Sequence, residues 1–157
     1  MLRGIHPLLG PDLLHALGSM GHGDEIVIAD ANFPASTLGP KVIRGDGLGG
    51  EALLEAILSH LPLDTFVETA AYRMAVVDDP AQLPEICRSY QTILHKLAGP
   101  FQLAALERFD FYERAREAAY IVASGERAFY GNIILKKGVI VPDESISILG
   151  NASSLTA

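Results

Sequence analysis

A histidine and an aspartate, His22 and Asp30, flank the apolar run Ile26-Val27-Ile28-Ala29. Histidine titrates nearest neutral pH and an ionised aspartate accepts hydrogen bonds there, so the pair is suited to moving the protons of a hydroxylated small molecule. The other polar groups beside candidate strand ends are Arg108 and the trio Tyr130-Gly131-Asn132. An arginine fork and an amide suit recognition of several hydroxyls, and a glycine permits close approach of the backbone. Each position also has a plainer reading. His22 can be a turn residue and Asp30 a strand end, Arg108 beside Glu107 a surface ion pair of little worth, Tyr130 a core aromatic with a wet hydroxyl, and Gly131 a bulge.

Composition removes several function classes. The chain has 157 residues, enough for one domain with a real core. Twelve basic against nineteen acidic residues leave a net charge of −7, with no basic cluster interleaved with aromatics. That argues against nucleic acid and anionic membranes as partners. The single cysteine, Cys87, cannot form an internal disulfide and suits a reducing cytoplasm; it reads as a small core residue rather than a nucleophile. No apolar run approaches the roughly 18 residues of a membrane span, and prolines 7 and 11 break the N-terminal segment, so neither a signal peptide nor a span is expected. Glycine-rich nucleotide loops, His-Glu-x-x-His and Gly-x-Ser-x-Gly are all missing, which leaves nucleotide cofactors, zinc hydrolysis and serine-esterase chemistry without support.

The elements that must position these residues follow from periodicity. Pro11, Leu13, Leu14, Leu17 and Met20 predict a short amphipathic helix, and the continuous apolar run 26–29 predicts a strand covered on both faces. Residues 32–37 and 45–50 read as loops, with a helix through Leu53, Leu54, Ile57, Leu58 and Leu61 stopped by Pro62. Residues 72–77 read as a strand, Asp79-Pro80 as the start of a helix carried to Gly99-Pro100, and 102–106 as a short strand. Asp110 and Glu113 predict a capping box for the next helix, followed by strands at 120–123 and 132–135. From Pro142 onward, Ser, Asn and Thr without helical period predict a loosely held tail. Alternating helices and short apolar strands imply a three-layer α/β single domain, with helices packed around a mixed, largely parallel sheet. Residue types and spacing alone reach a small soluble α/β domain with its site unassigned.

Four blocks carry more. Met20-Gly21-His22-Gly23-Asp24-Glu25-Ile26 running to Asp30-Ala31-Asn32-Phe33-Pro34, then Val42-Ile43-Arg44-Gly45-Asp46-Gly47, then Phe109-Asp110-Phe111-Tyr112-Glu113-Arg114-Ala115, and lastly residues 125–138 around Tyr130-Gly131-Asn132 resemble, in order, the fucose mutarotase and ribose pyranase family. The resemblance spans about residues 2–141, which it implies form a sugar mutarotase domain, with 142–157 as an added tail. It implies a cofactor-free enzyme that interconverts sugar ring forms and holds no metal. His22 would be the proton donor and Tyr130 a second catalytic group. Asp30, Arg108, Tyr130, Gly131 and Asn132 would bind the monosaccharide substrate. Arg108, where ribose pyranases have His, and Tyr-Gly-Asn, where they have Tyr-Ala-Asn, favour the L-fucose branch over D-ribose pyranases; a non-catalytic sugar-binding or transport-associated protein, which the same residues would serve, is the other alternative. Asn32 replaces a His of several fucose-type relatives, and residues 82–102 depart from the pattern.

Such chemistry suits these residue types. A pyranose opens when a base takes the anomeric hydroxyl proton while an acid protonates the ring oxygen, which needs neither hydride nor phosphate. One spacing matters further. If residues 24–30 are extended at roughly 3.3 Å each, His22 and Asp30 lie about 20 Å or more apart. A shared sugar pocket then requires a sharp fold-back or a neighbouring subunit. The expectation is a homo-oligomer with inter-subunit sites; the resemblance implies a decamer of two pentameric rings.

Overall fold

The apolar run between His22 and Asp30 forms β1 (Glu25–Ala29), in which all five residues are buried. The structure, a computed structural model, describes residues 1–142. Around β1, in chain order, these residues form α1 (Pro11–Ser19), α2 (Ala35–Leu38), β2 (Lys41–Gly45), α3 (Gly50–Leu58), β3 (Ala71–Met74), α4 (Glu85–Leu97), β4 (Leu103–Leu106), α5 (Arg108–Glu117), β5 (Tyr120–Ser124) and β6 (Ile133–Lys136).

The strands make one sheet in the order β2-β5-β1-β6-β3-β4. Pairs β1·β5, β2·β5 and β3·β4 are parallel, and β6 runs antiparallel to both β1 and β3. The mixed, largely parallel sheet with helices on both faces is the three-layer architecture that alternating elements imply. Period-two geometry divides β1 between the layers. Ile26 and Ile28 pack with Leu13, Leu53, Ile57, Tyr90 and Leu94 beneath α1, α3 and α4. Val27 and Ala29 face the other way, against Leu38, Phe111 and Ala115 of α2 and α5. Because both faces are covered, β1 is apolar throughout. Cys87 is a fully buried core residue, and burial pushes its thiol up to about 11.

Several elements differ from the periodicity. β2 occupies a stretch without a strand signal: as an edge strand it buries only Ile43 and Gly45 and leaves Lys41 and Arg44 in solvent. α2 lies inside an expected loop, and four residues are too few to show a period. α4 starts at Glu85 rather than at Asp79-Pro80, because Pro84 keeps the residue before it out of the helical region and itself serves as N-cap. The cap of α5 is Glu107, whose carboxylate accepts from Phe109 N–H at 2.6 Å, and not Asp110, which sits in the first turn. Among the described residues Glu107 and Arg108 form no ion pair; the Arg108 guanidinium lies over the Phe109 ring instead. The strand expected at 72–77 ends at Met74. Beyond Pro142 the tail lies outside the described residues.

Candidate active site

β1 and β3 both run antiparallel to β6, so the entry to β6 lies between the carboxyl ends of β1 and β3. Open α/β sheets take their ligands at this kind of crevice, where loops diverge from strand ends. With Ile28 opposite Ile133, the residues just beyond the ladder are Asp30 and Asn132. They bond in both directions: Asp30 N–H donates to Asn132 Oδ1 at 2.7 Å, and Asn132 Nδ2–H donates to Asp30 Oδ2 at 2.9 Å. Asn32 N–H also donates to Asp30 Oδ1 at 2.9 Å. Burial raises the Asp30 carboxyl above the usual aspartate value; these hydrogen bonds oppose the rise and nearby Glu126 adds to it. A carboxylate made more basic in this way is a better proton acceptor.

Asp30, Asn132, Arg108 and Tyr130 line one cavity of about 300 Å³, at the lower end of the roughly 300–1,000 Å³ typical of small-ligand pockets. Phe33, Met74, Val77 and Phe129 supply its apolar walls. Tyr130 is a non-glycine in the left-handed region, at φ 62°, a conformation that costs about 1–3 kcal/mol and concentrates at functional sites. Its hydroxyl oxygen accepts from Val77 N–H at 3.2 Å, which leaves its own proton to donate. Arg108 opens α5, and its guanidinium lies over the Phe109 ring at 4.6 Å. Its Nε is buried and has no hydrogen-bond partner among the described residues. A buried unpaired donor is costly, and an oxygen acceptor entering the cavity would satisfy it.

Gly131 has a different place. It does not line this cavity: a Cβ there would meet Glu126 Cγ at 2.7 Å and Ala128 O at 3.1 Å. Its carbonyl accepts from Tyr90 Oη–H at 3.0 Å. Those contacts alone require glycine here, for packing behind the site.

His22 stands at the opposite end of β1, before the strand, and is not among the residues around Asp30. It faces Asp64, with Nε2 3.1 Å from Oδ1. Asp64 is 2% exposed and accepts from Phe66 N–H as well; that bond, with His22 adding to it, holds its carboxyl below the usual range. An ionised carboxylate only accepts, so Nε2 carries the hydrogen toward Asp64 and Nδ1 remains for proton exchange. Sequence reasoning missed Asp64. Its local signature is only that of an Asx turn two residues before Phe66, and nothing in the chain links it to a histidine 42 positions away. The bridge between Leu63 and Lys137 brings it there. A larger cavity of about 570 Å³ near this end contains Glu25, Arg114 and Lys136. These charges already satisfy one another, with Arg114 bidentate to Glu25 at 3.0 and 2.6 Å, so it is less suited to neutral polyhydroxyl ligands.

Among the described residues there is no group of three or more His, Cys, Asp or Glu arranged to hold a metal ion, and no helix is long and apolar enough to cross a membrane. Residues 3–140 match the sequence profile of the RbsD / FucU transport protein family. The chain belongs to the RbsD/FucU family. It is 51% identical over 150 residues to the fucose mutarotase of Bos taurus, covering 92% of this chain and 97% of the relative. It is 52% identical over 146 residues to that of Homo sapiens, covering 88% and 94%. Among solved structures, the fucose mutarotase of Streptococcus pneumoniae in complex with L-fucose superposes with a TM-score of 0.83 at 44% identity, over 89% of this chain and all of the other. Asp30, Arg108, Tyr130 and Asn132 thus share one cavity, and His22 lies elsewhere in the protomer.

Proposed function

We propose that the chain is a cofactor-free mutarotase that interconverts the α and β anomers of L-fucose, at pockets completed between neighbouring copies. The observation that carries this reading is the Asp30 cavity. It combines a buried carboxylate of raised pKa, a tyrosine hydroxyl with a free proton and an unsatisfied arginine donor in one space. The chain around it is about half identical to proteins named fucose mutarotase.

Asp30 accepts the proton of the anomeric hydroxyl as the bond between the anomeric carbon and the ring oxygen breaks. The ring oxygen takes a proton from His22 of an adjacent copy. The open aldehyde rotates and closes on its other face, which returns both protons. Asn132 holds Asp30 in place, Arg108 Nε donates to a sugar hydroxyl, and Tyr130 donates to an oxygen near the reacting centre. Phe33, Met74 and Phe129 offer an apolar wall to the methyl group of a 6-deoxy sugar. General acid and base catalysis supplies about 10²–10⁴-fold, which suffices for a reaction that already proceeds unaided.

The His22 contribution requires an assembly. Phe66 and Phe129 are 74% and 76% exposed, the first beside His22 and the second beside the Asp30 cavity. Docking one on the other joins unlike surfaces head to tail, and repeated head-to-tail contacts make a ring where the rotation between copies closes. A decamer of two such pentameric rings is the assembly proposed. A cytoplasmic location fits the lone, buried Cys87.

Exchange NMR on a panel of sugars tests the reading. Anomer exchange above the buffer rate for L-fucose but not D-ribose is expected. Accelerated pyranose–furanose exchange of ribose alone would make the protein a pyranase, and binding without acceleration would make it a non-catalytic sugar binder.

A further inference from the structure

The Tyr130-Gly131 segment is held from behind by α4. Cys87 and Tyr90 lie three residues apart on the buried face of that helix, both fully excluded from solvent. They reach consecutive carbonyls: Cys87 Sγ–H donates to Tyr130 O at 3.5 Å, and Tyr90 Oη–H donates to Gly131 O at 3.0 Å. A buried phenol needs some acceptor, but this one is the backbone beside a left-handed tyrosine whose hydroxyl faces the cavity. The surrounding chain leaves room for it. At the first residue of α3, a Cβ on Gly50 would lie 1.8 Å from Tyr90 Oη, so any larger residue would push the hydroxyl off Gly131. Glu126 ties the same corner together, accepting from Gly50 N–H at 3.1 Å and from Ala128 N–H at 2.8 Å.

We propose that Tyr90, assisted by Cys87, is a positioning residue: its bond to the Gly131 carbonyl keeps Tyr130 in the left-handed conformation that aims its hydroxyl into the cavity. Neither side chain touches the sugar. The inference rests on the assignment of Tyr130 to the reacting site. It also gives a role to two residues of the 82–102 segment, which departs from the family pattern. The Val77 amide reports on it, because Val77 N–H donates to Tyr130 Oη and has no hydrogen bond to Tyr90.

The test is Tyr90→Phe in the assembled protein, read by mutarotation kinetics on L-fucose and by the Val77 amide proton shift without sugar. Loss of one hydrogen bond is expected to lower kcat about three- to tenfold while KM moves less than about twofold. The Val77 amide should shift. In a Tyr130→Phe background the same change should cost nothing further, since coupled residues are not additive. Cys87→Ala, which removes the weaker bond, should shift the same amide in the same direction by less, and it serves as the test should Tyr90→Phe fail to assemble. An unmoved Val77 amide, or an equal loss of kcat in both backgrounds, overturns the proposal while leaving the mutarotase reading intact. Wild-type kcat in Tyr130→Phe alone would instead remove the assignment of Tyr130, and the proposal with it.

Discussion

At the carboxyl end of β1, Asp30 is 7% exposed, bonded in both directions to Asn132 and set in a cavity with Arg108 and Tyr130. At the amino end, the His22 side chain is 46% exposed, held by one carboxylate and backed by an exposed phenylalanine. On the reading proposed above, the first end is a binding pocket that lacks an acid, and the second supplies that acid. On that reading neither end alone opens a sugar ring. If each end serves a different copy of the site, as proposed, a strand of five residues can separate two groups of one reaction.

Substitutions at the two ends should therefore fail in different ways. Asp30→Asn is expected to lose about 10²–10⁴ in kcat and to weaken L-fucose binding as well, since the carboxylate is both acceptor and ligand; calorimetry would show both. His22→Ala should lose about 10²-fold or more in exchange rate while still binding L-fucose, and an unchanged rate would end its role as acid.

Asp64→Asn sharpens the contrast with a smaller effect. It keeps the shape but weakens the hold on the imidazole, so kcat should fall about tenfold with KM unchanged, the loss of a charge-assisted hydrogen bond. A rise in KM at constant kcat would place Asp64 in binding instead. Smallest of all is a shift in pH dependence. Because Asp30 is raised above 3.8 by burial, its basic form is lost on acidification earlier than that of an ordinary aspartate. The acid limb of kcat/KM should accordingly lie above that value, and a limb at or below it would contradict the account.

Much of the fold was legible because its signals are local. β1 is a continuous apolar run, and α1 and α3 carry helical stripes. Where burial is partial or an element is short, as in β2 and α2, the pattern is too weak to read. The start of α4 was misplaced because Asp79-Pro80 looks like a helix start, and only the later Pro84 delays it. At the site, Asp30, Arg108, Tyr130 and Asn132 were named from the chain and the structure brings them together. Gly131 was named for approach to a ligand, and the structure adds a packing reason that the chain did not show: a side chain there would meet Glu126 and Ala128. Asp64 and the apolar walls from Met74 and Val77 were invisible, since their roles come from tertiary contacts between distant segments.

The central claim, that each working site joins the two ends of β1 from different copies, is tested most directly by co-assembling two inactive chains, His22→Ala and Asn132→Ala. Random mixing in a head-to-tail ring should return up to about a quarter of wild-type L-fucose exchange, because that share of sites draws His22 from one chain and an intact pocket from the other. No recovery from mixed assemblies, or a fully active wild-type monomer by light scattering, would contradict it.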